Sequence, residues 1–282
     1  MLAVLLALAS AAMYGLSDFA GGIVSRRTSV WAVAIVTQLT ALVLISVTAG
    51  ILGGRPEPAD WLWGAVAGVG IGAGTGFLYR GLAAGRMGVV APLSAVGAAL
   101  VPVIVGLLTG ERPPLLTWLG IGCAIPAIWL VSAPAEGFGS LVRRPRLDEG
   151  ATDGILAGLG FGLMFAALGQ VPDSAGLGPL AAAELTSILA VAVLATALHG
   201  SWVPRDRVAW WGTAVGALAS GATVLFLFAS QAGMLTVAAV LASLYPAFTV
   251  LLAATLLREP IHRPQAVGLV LAAVAVALVA IG

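Results

Sequence analysis

Two carboxyl groups lie where the surrounding residues make a carboxyl group expensive. Asp18 stands in AMYGLSDFAGG and Glu184 in PLAAAELTSILA, both within apolar stretches long enough to be membrane-spanning helices. An acid inside such a helix costs about 3 kcal/mol on insertion scales, so it requires a partner or a water-filled cavity. Asp18 has Ser17 beside it and Tyr14 one turn earlier. It would serve as a substrate-cation or proton site lining a central cavity, or else as a near-interface acid paired with Arg26 or Arg80. Glu184 stands roughly one turn into its stretch; it would exchange protons with a cavity, or simply reach the interface.

Other polar residues fall inside apolar stretches. Ser94, Ser243, Gln38 and Gln231 would contact a substrate or bond to backbone and neighbouring helices. Glu111 and Glu259 end matched helices beside Arg112 and Arg258. A carboxylate is disfavoured at a helix C-terminus, so capping of a neighbouring helix or pairing with arginine is expected to hold each one. Catalytic constellations are missing. His199 and His262 are far apart, and there is no HExxH, CxxC or Walker loop. The expectation is therefore no enzyme, no cofactor and no metal. A net charge of +1, with no basic run longer than Arg143-Arg144-Pro145-Arg146, gives no reason to expect a nucleic-acid partner. Cys123 is the single cysteine and forms no intrachain disulfide.

The elements that must position these groups follow from composition. The 282 residues are 60% hydrophobic and only 9% charged, with mean hydropathy +1.08. A chain of this length with so little charge has lipid as its main solvent. Ten helices are expected, at 2–22, 29–52, 60–81, 88–109, 115–133, 153–170, 179–198, 208–230, 234–257 and 265–281. The stretches are too long for barrel strands and do not alternate polar with apolar. Trp31, Trp61, Trp63, Trp118, Trp202, Trp210 and Trp211 fall at or near predicted ends, where indole favours the headgroup layer. MLAVLLALASAAMYG lacks the positive start of a signal peptide and reads as the first span. Pro92, Pro102 and Pro246 would kink their helices.

The chain repeats itself. A shift of about 148 residues lays AGRMGVVAPLSAVGAALVPVIVGLLTGE over AGMLTVAAVLASLYPAFTVLLAATLLRE, matching Glu111 to Glu259, and Tyr14-Gly15 meets Phe161-Gly162. The expected division is 1–134, a polar linker at 135–152, and 153–282. Each half holds five spans, an odd number, so consecutive halves must cross the membrane in opposite senses. Of the 13 arginines, only Arg55 and Arg112 fall in loops assigned to one side, while the other 11 fall on the opposite side. The positive-inside rule makes the arginine-rich side cytoplasmic and both termini external.

The order and duplication of Tyr14-Gly15, LYRGLAAGRMGVVAPLSAVGAALVPVIVGLLTGERP and LFASQAGMLTVAAVLASLYPAFTVLLAATLLREP resemble the EamA-like transporter family of the drug/metabolite transporter superfamily. The sequence departs from the family pattern in carrying Tyr14 where tryptophan is common, and Arg258 in place of glycine in the second terminal motif. The resemblance implies an all-α integral membrane fold of ten transmembrane helices in two inverted five-helix repeats. It also implies cytoplasmic termini, opposite to the arginine count. By resemblance Tyr79, Phe161, Phe165 and Tyr245 would face a cavity formed by spans one, three, four, six, eight and nine. The substrate-contact set is then Tyr14, Asp18, Tyr79, Ser94, Phe161, Phe165, Ser243 and Tyr245, with proton coupling at Asp18 and Glu184. The implied activity is secondary transport by alternating access, exporting amino acids, other small metabolites or drugs, from a monomer or homodimer in the plasma membrane of a bacterium. The alternative is a non-transporting membrane component, a lipid-carrier flippase subunit or scaffold, with a sealed interior and both acids at the interface.

Overall fold

The computed structural model describes residues 1–83, 87–131, 149–256 and 261–281. Arg86, Arg143, Arg144, Arg146, Arg258 and Glu259 lie outside the described residues, as do the expected linker up to 148 and the Pro92 side chain. With no water in a bilayer core, backbone N–H and C=O groups must pair within their own segment. Among the described residues the regular elements are all helical: α1 (Leu2–Ser25), α2 (Val30–Leu52), α3 (Pro58–Ala83), α4 (Met87–Leu108), α5 (Leu115–Val131), α6 (Glu149–Leu168), α7 (Gly178–Ala197), α8 (Gly212–Gln231), α9 (Leu235–Ala242), α10 (Tyr245–Leu256) and α11 (Arg263–Ile281). Short 3-10 turns stand at Asp173–Ala175 and Arg207–Trp211. Among the described residues seven stretches are long and apolar enough to cross a membrane, α9 and α10 together making one of them. Leu93–Leu108, Leu115–Val131 and Thr152–Leu168 are shorter apolar helices.

The stretch expected to run unbroken over 234–257 is instead interrupted at Ser243–Leu244. Pro246 has no N–H to give to the carbonyl four residues back. The turn closes with three-residue hydrogen bonds, from Leu244 N–H to the Leu241 carbonyl and from Ala247 N–H to the Leu244 carbonyl. Pro102 stays within an uninterrupted α4. The Glu111 carboxylate accepts hydrogen bonds from Leu235 N–H and, at 3.0 Å, from Thr236 N–H. It therefore caps the first turn of α9, one of the two roles expected of it.

Glycine contacts fix which helices run together. Gly64, Gly68 and Gly72 of α3 meet Pro179, Ala183 and Ser187 of α7 in step, so these two helices are parallel. Gly70 meets Met164, and Arg80 meets Asp153, so α3 is antiparallel to α6. Val33 and Thr37 of α2 meet Gly212 and Gly216 of α8 in the same direction. Ser10 and Ser17 of α1 bond to the carbonyls of Ala222 and Val215, so α1 and α8 are antiparallel. The start of α2 lies beside the residues following α7, with Trp31 against Gly200 and Ser29 bonded to Ser201. Following these directions around the molecule, α1 runs opposite to α6. The halves are upside down relative to each other.

The packing also keeps its pattern when the halves are exchanged. Helix α3 lies on α6 and α7 as α8 lies on α1 and α2, while the pairs α2 with α7, α4 with α9, and α5 with α11 map onto themselves. Gly64 and Gly212, and likewise Gly68 and Gly216, occupy matching places 148 residues apart. At each, an added Cβ would run into the backbone of the facing helix. In lipid, where apolar side chains gain nothing by leaving one apolar medium for another, such close approach supplies the attraction between helices. These directions put Arg26, Arg27, Arg80, Arg205, Arg207 and Arg263 at one end of the bundle, and Arg55 and Arg112 at the other.

Replacing Gly68 with alanine drives a methyl group into the Ala183 carbonyl and the Thr186 hydroxyl. The expected cost is about 1–3 kcal/mol, read as a lower unfolding temperature in detergent. Gly122→Ala, at a position with nothing within 4 Å, should leave that temperature unchanged or slightly raised.

Candidate functional site

Between the halves lies a narrow, partly open cleft. Its walls come from α1 (Tyr14, Ser17, Asp18), α2 (Thr37, Gln38), α3 (Ile71, Thr75, Leu78, Tyr79), α6 (Phe161, Met164, Phe165), α7 (Glu184), α8 (Ala219, Thr223) and α10 (Tyr245). All three tyrosines of the chain are among them. Both acids from the apolar stretches face the same cleft, and no arginine or histidine lines it among the described residues. Glu184 is 2% exposed, which puts it inside the protein rather than at the lipid headgroups. The Ser187 hydroxyl stands 3.4 Å from its Oε2 and bonds to its backbone carbonyl at 2.7 Å.

Asp18 forms no hydrogen bond or ion pair among the described residues. Arg80, one of its expected partners, turns away from the cleft and binds Asp153 through both Nε, at 2.9 Å, and Nη2. Its guanidinium also stands 5.1 Å from the Phe77 ring centroid. Tyr79 and Tyr245 lie within electrostatic reach of Asp18, while Tyr14 feels both Asp18 and Glu184. The Tyr79 hydroxyl faces Ser17 and Thr37 and abuts Gly21, where a Cβ would come within 2.6 Å of it.

The two ends of the cleft differ. Register along α3 puts Asp18 near the level of Gly76, because Gly21 of the parallel helix α1 meets Tyr79. Glu184 is level with Gly68, because Ala183 touches that glycine. At a rise of 1.5 Å per residue the two levels are about 12 Å apart along the bundle axis. Asp18 and Tyr79 mark the arginine-rich end. Towards the other end Phe165 stacks on Phe226 with centroids 4.2 Å apart, and Tyr14 meets Phe165 edge-on at 6.0 Å. Tyr14 also exchanges a 2.9 Å hydrogen bond with Thr223, which ties the centre of α1 to α8.

The internal repeat is visible in the wall. Tyr14 matches Phe161, Ile71 matches Ala219, and Thr75 matches Thr223. The carboxyl groups break the symmetry, because Asp18 matches Phe165 and Glu184 matches Thr37. The Arg80–Asp153 pair is likewise one-sided, since the corresponding positions hold Phe228 and Leu6.

Of the residues singled out from sequence, the structure brings together Tyr14, Asp18, Tyr79, Phe161, Phe165, Glu184 and Tyr245. Ser94 is not among the wall residues but shares a 2.8 Å hydrogen bond with the hydroxyl of Tyr245, which is. Among the described side chains α4 contributes no wall residue, although the resemblance implies one. Ser243 is buried in the turn between α9 and α10, and its Oγ has no hydrogen-bond partner among the described residues. Gln231 bonds to the Val171 carbonyl, outside the cleft. Helices α2 and α7, which that resemblance omitted, supply Thr37, Gln38 and Glu184. Gln38, one of the four intramembrane polar residues singled out from sequence, also lines the cleft, at 2% exposed and with its Nε2 unpartnered among the described residues. The signal for it was present in the sequence as a glutamine inside an apolar stretch, although nothing there distinguished it from Gln231.

The sequence of the EamA-like transporter family matches residues 1–133 and 150–281, once in each half. A crystal structure of another protein superposes with a TM-score of 0.75 over 99% of this chain and 96% of that one, at 15% identity, a likeness of fold alone. No curated protein matches the sequence.

Arg80→Gln would strand the Asp153 carboxylate, only 4% exposed, without its cation. Asp153→Asn would leave Arg80, 34% exposed, able to extend its head towards water. The expectation is that Arg80→Gln lowers the unfolding temperature more, by about 1–3 kcal/mol, and Asp153→Asn by half that or less.

Proposed function

The chain belongs to the EamA-like transporter family, and from that premise we propose that it is a secondary transporter exporting amino acids, other small metabolites or drugs by alternating access. As a member it is a multi-pass integral membrane protein of the drug/metabolite transporter type. In the proposed arrangement ten spans, α9 and α10 counting as one, form two inverted five-helix repeats that rock about the shared cleft. The observation that carries the reading is that cleft, in which two intramembrane carboxyl groups face each other's half across aromatic walls. A carboxyl group within a span marks a substrate or proton pathway by default. Asp18 and Glu184 would hold substrate or coupling protons, and Tyr14, Tyr79, Phe161, Phe165 and Tyr245 would contact the cargo.

The protein would reside in a bacterial plasma membrane, as a monomer or homodimer. The arginine-rich end would face the cytoplasm by the positive-inside rule, with both termini outside. That orientation puts Asp18 nearer the cytoplasm and the Phe165–Phe226 stack nearer the exterior, an order suited to loading from inside.

Cysteine accessibility tests the alternating cleft without knowledge of the substrate. In a Cys123→Ser background, Thr75→Cys and Thr223→Cys in sealed vesicles should react with a membrane-impermeant maleimide from either side. A position 75 closed to both sides would overturn transport and favour a sealed membrane component.

Proton coupling has its own readout. Proteoliposomes loaded with labelled compounds should release their cargo faster under an imposed pH gradient. Asp18→Asn or Glu184→Gln should cut that release by about tenfold or more, equivalent to about 1.4 kcal/mol. Release indifferent to the gradient would remove the coupling and leave facilitated diffusion.

A further inference from the structure

We infer that the cleft selects an organic cation: a protonated or quaternary amine with an apolar or aromatic body and an uncharged hydrogen-bond acceptor, in preference to a zwitterionic amino acid. The inference rests on the transport reading above and specifies its substrate class.

Charge is the first ground. Two carboxyl groups line the cleft and no arginine or histidine does, among the described residues. Arg80, next in sequence to Tyr79, is occupied by Asp153 on α6. A ligand carboxylate entering here would meet two acids and no fixed cation, whereas an ammonium group would supply the charge that Asp18 lacks. Away from water, an unpaired charge is costly and a paired, hydrogen-bonded one is not.

Aromatic faces are the second ground. Tyr14, Tyr79 and Tyr245 all lie within electrostatic reach of Asp18, and Phe161 and Phe165 complete the wall. Aromatic rings around a carboxyl group attract a cation through the negative faces of the rings, and the attraction grows when water is excluded. The same rings supply an apolar bed for the body of the ligand.

The third ground is independent of charge. Gln38 is 2% exposed and lines the cleft, and its amide Nε2 has no hydrogen-bond partner among the described residues. A buried amide donor left unpaired is unfavourable. A carbonyl, hydroxyl or ether oxygen on the ligand would satisfy it without introducing a second charge.

The placement of the acids adds a route. Asp18 lies towards one end of the cleft and Glu184 towards the other, with Tyr14 in electrostatic reach of both. The amine would enter against Asp18 and pass Tyr14 to Glu184 as the opposite end opens. Asp18 and Glu184 do not match each other in the repeat, so the two halves hold the cation with different groups.

The test is a charge series on one skeleton: phenylalaninamide (cation with an uncharged carbonyl), phenylalanine (zwitterion) and N-acetylphenylalanine (anion). Each is titrated against the purified full-length protein in near-neutral buffer, and affinity is read from the ligand-dependent rise in unfolding temperature. Phenylalaninamide should bind saturably and the other two about tenfold or more weaker. Asp18→Asn should weaken phenylalaninamide by about tenfold. Gln38→Leu, which removes the unpartnered donor and tests the site should Asp18→Asn fail to fold, should weaken it by about fivefold. Equal or tighter binding of phenylalanine or N-acetylphenylalanine, failure of phenylalaninamide to bind, or affinity unchanged in both variants would overturn the inference. Such a result beside two-sided labelling at position 75 would remove the substrate class and leave transport standing, whereas a sealed position 75 would remove both.

Discussion

The fold depends on helix backbones coming close enough to touch where no hydrophobic force draws them together. Glycines make that possible. Gly64, Gly68 and Gly72 of α3 admit the backbone of α7, and Gly212 and Gly216 of α8 admit the backbone of α2. Each contact joins one half of the chain to the other, so the halves are not independent bodies meeting at a loose seam. Close packing here also determines where space is left. With α3 drawn tightly against α6 and α7, space is left between the halves in the cleft that Asp18 and Glu184 line, and side chains of both halves face one another across it.

Within that frame the two repeats have diverged where it matters chemically. Their scaffolding residues still correspond, as the paired glycines and the Thr75 and Thr223 positions show. The charged groups do not. Asp18 has a phenylalanine as its counterpart, Glu184 a threonine, and the Arg80–Asp153 pair two apolar residues. An inverted repeat with identical halves would treat its two ends alike. Here the arginine-rich end carries Asp18, Tyr79, Thr37 and Gln38, while towards the other end lie Glu184 and Phe165, the latter stacked on Phe226. The asymmetry gives the cleft a direction. Among the described residues the Arg80–Asp153 ion pair joins α3 to α6 at the arginine-rich end, and the repeat-related positions hold apolar residues.

Much of this could be read from residue order. Apolar stretches of spanning length, the matched segments of the two halves and the arginine bias all follow from local composition and from the dry interior of a bilayer. The capping role of Glu111 was also foreseeable, because a carboxylate at its own helix C-terminus requires donors from elsewhere. Asp18 could be recognised as costly, and Tyr14 as its neighbour one turn away. The break at Ser243–Leu244 was only half legible, since proline signals a kink without saying whether the helix continues.

What residue order determined by itself was the kind of protein: helices in lipid, duplicated and inverted, with two acids that demand an explanation. Only the tertiary structure decided what surrounds those acids. Hydropathy put Glu184 within a turn of the interface and Asp18 near arginines, yet packing turned Arg80 towards Asp153 and set both acids on one cleft. Sequence periodicity says which residues share a face of one helix, and it is silent on which faces of seven helices meet. The placement of Gln38 and Thr37 in the cleft wall was decided at that level. A polar side chain inside a span is satisfied or left open by neighbours that can be more than a hundred residues away, and only their arrangement in space distinguishes Gln38 from Gln231.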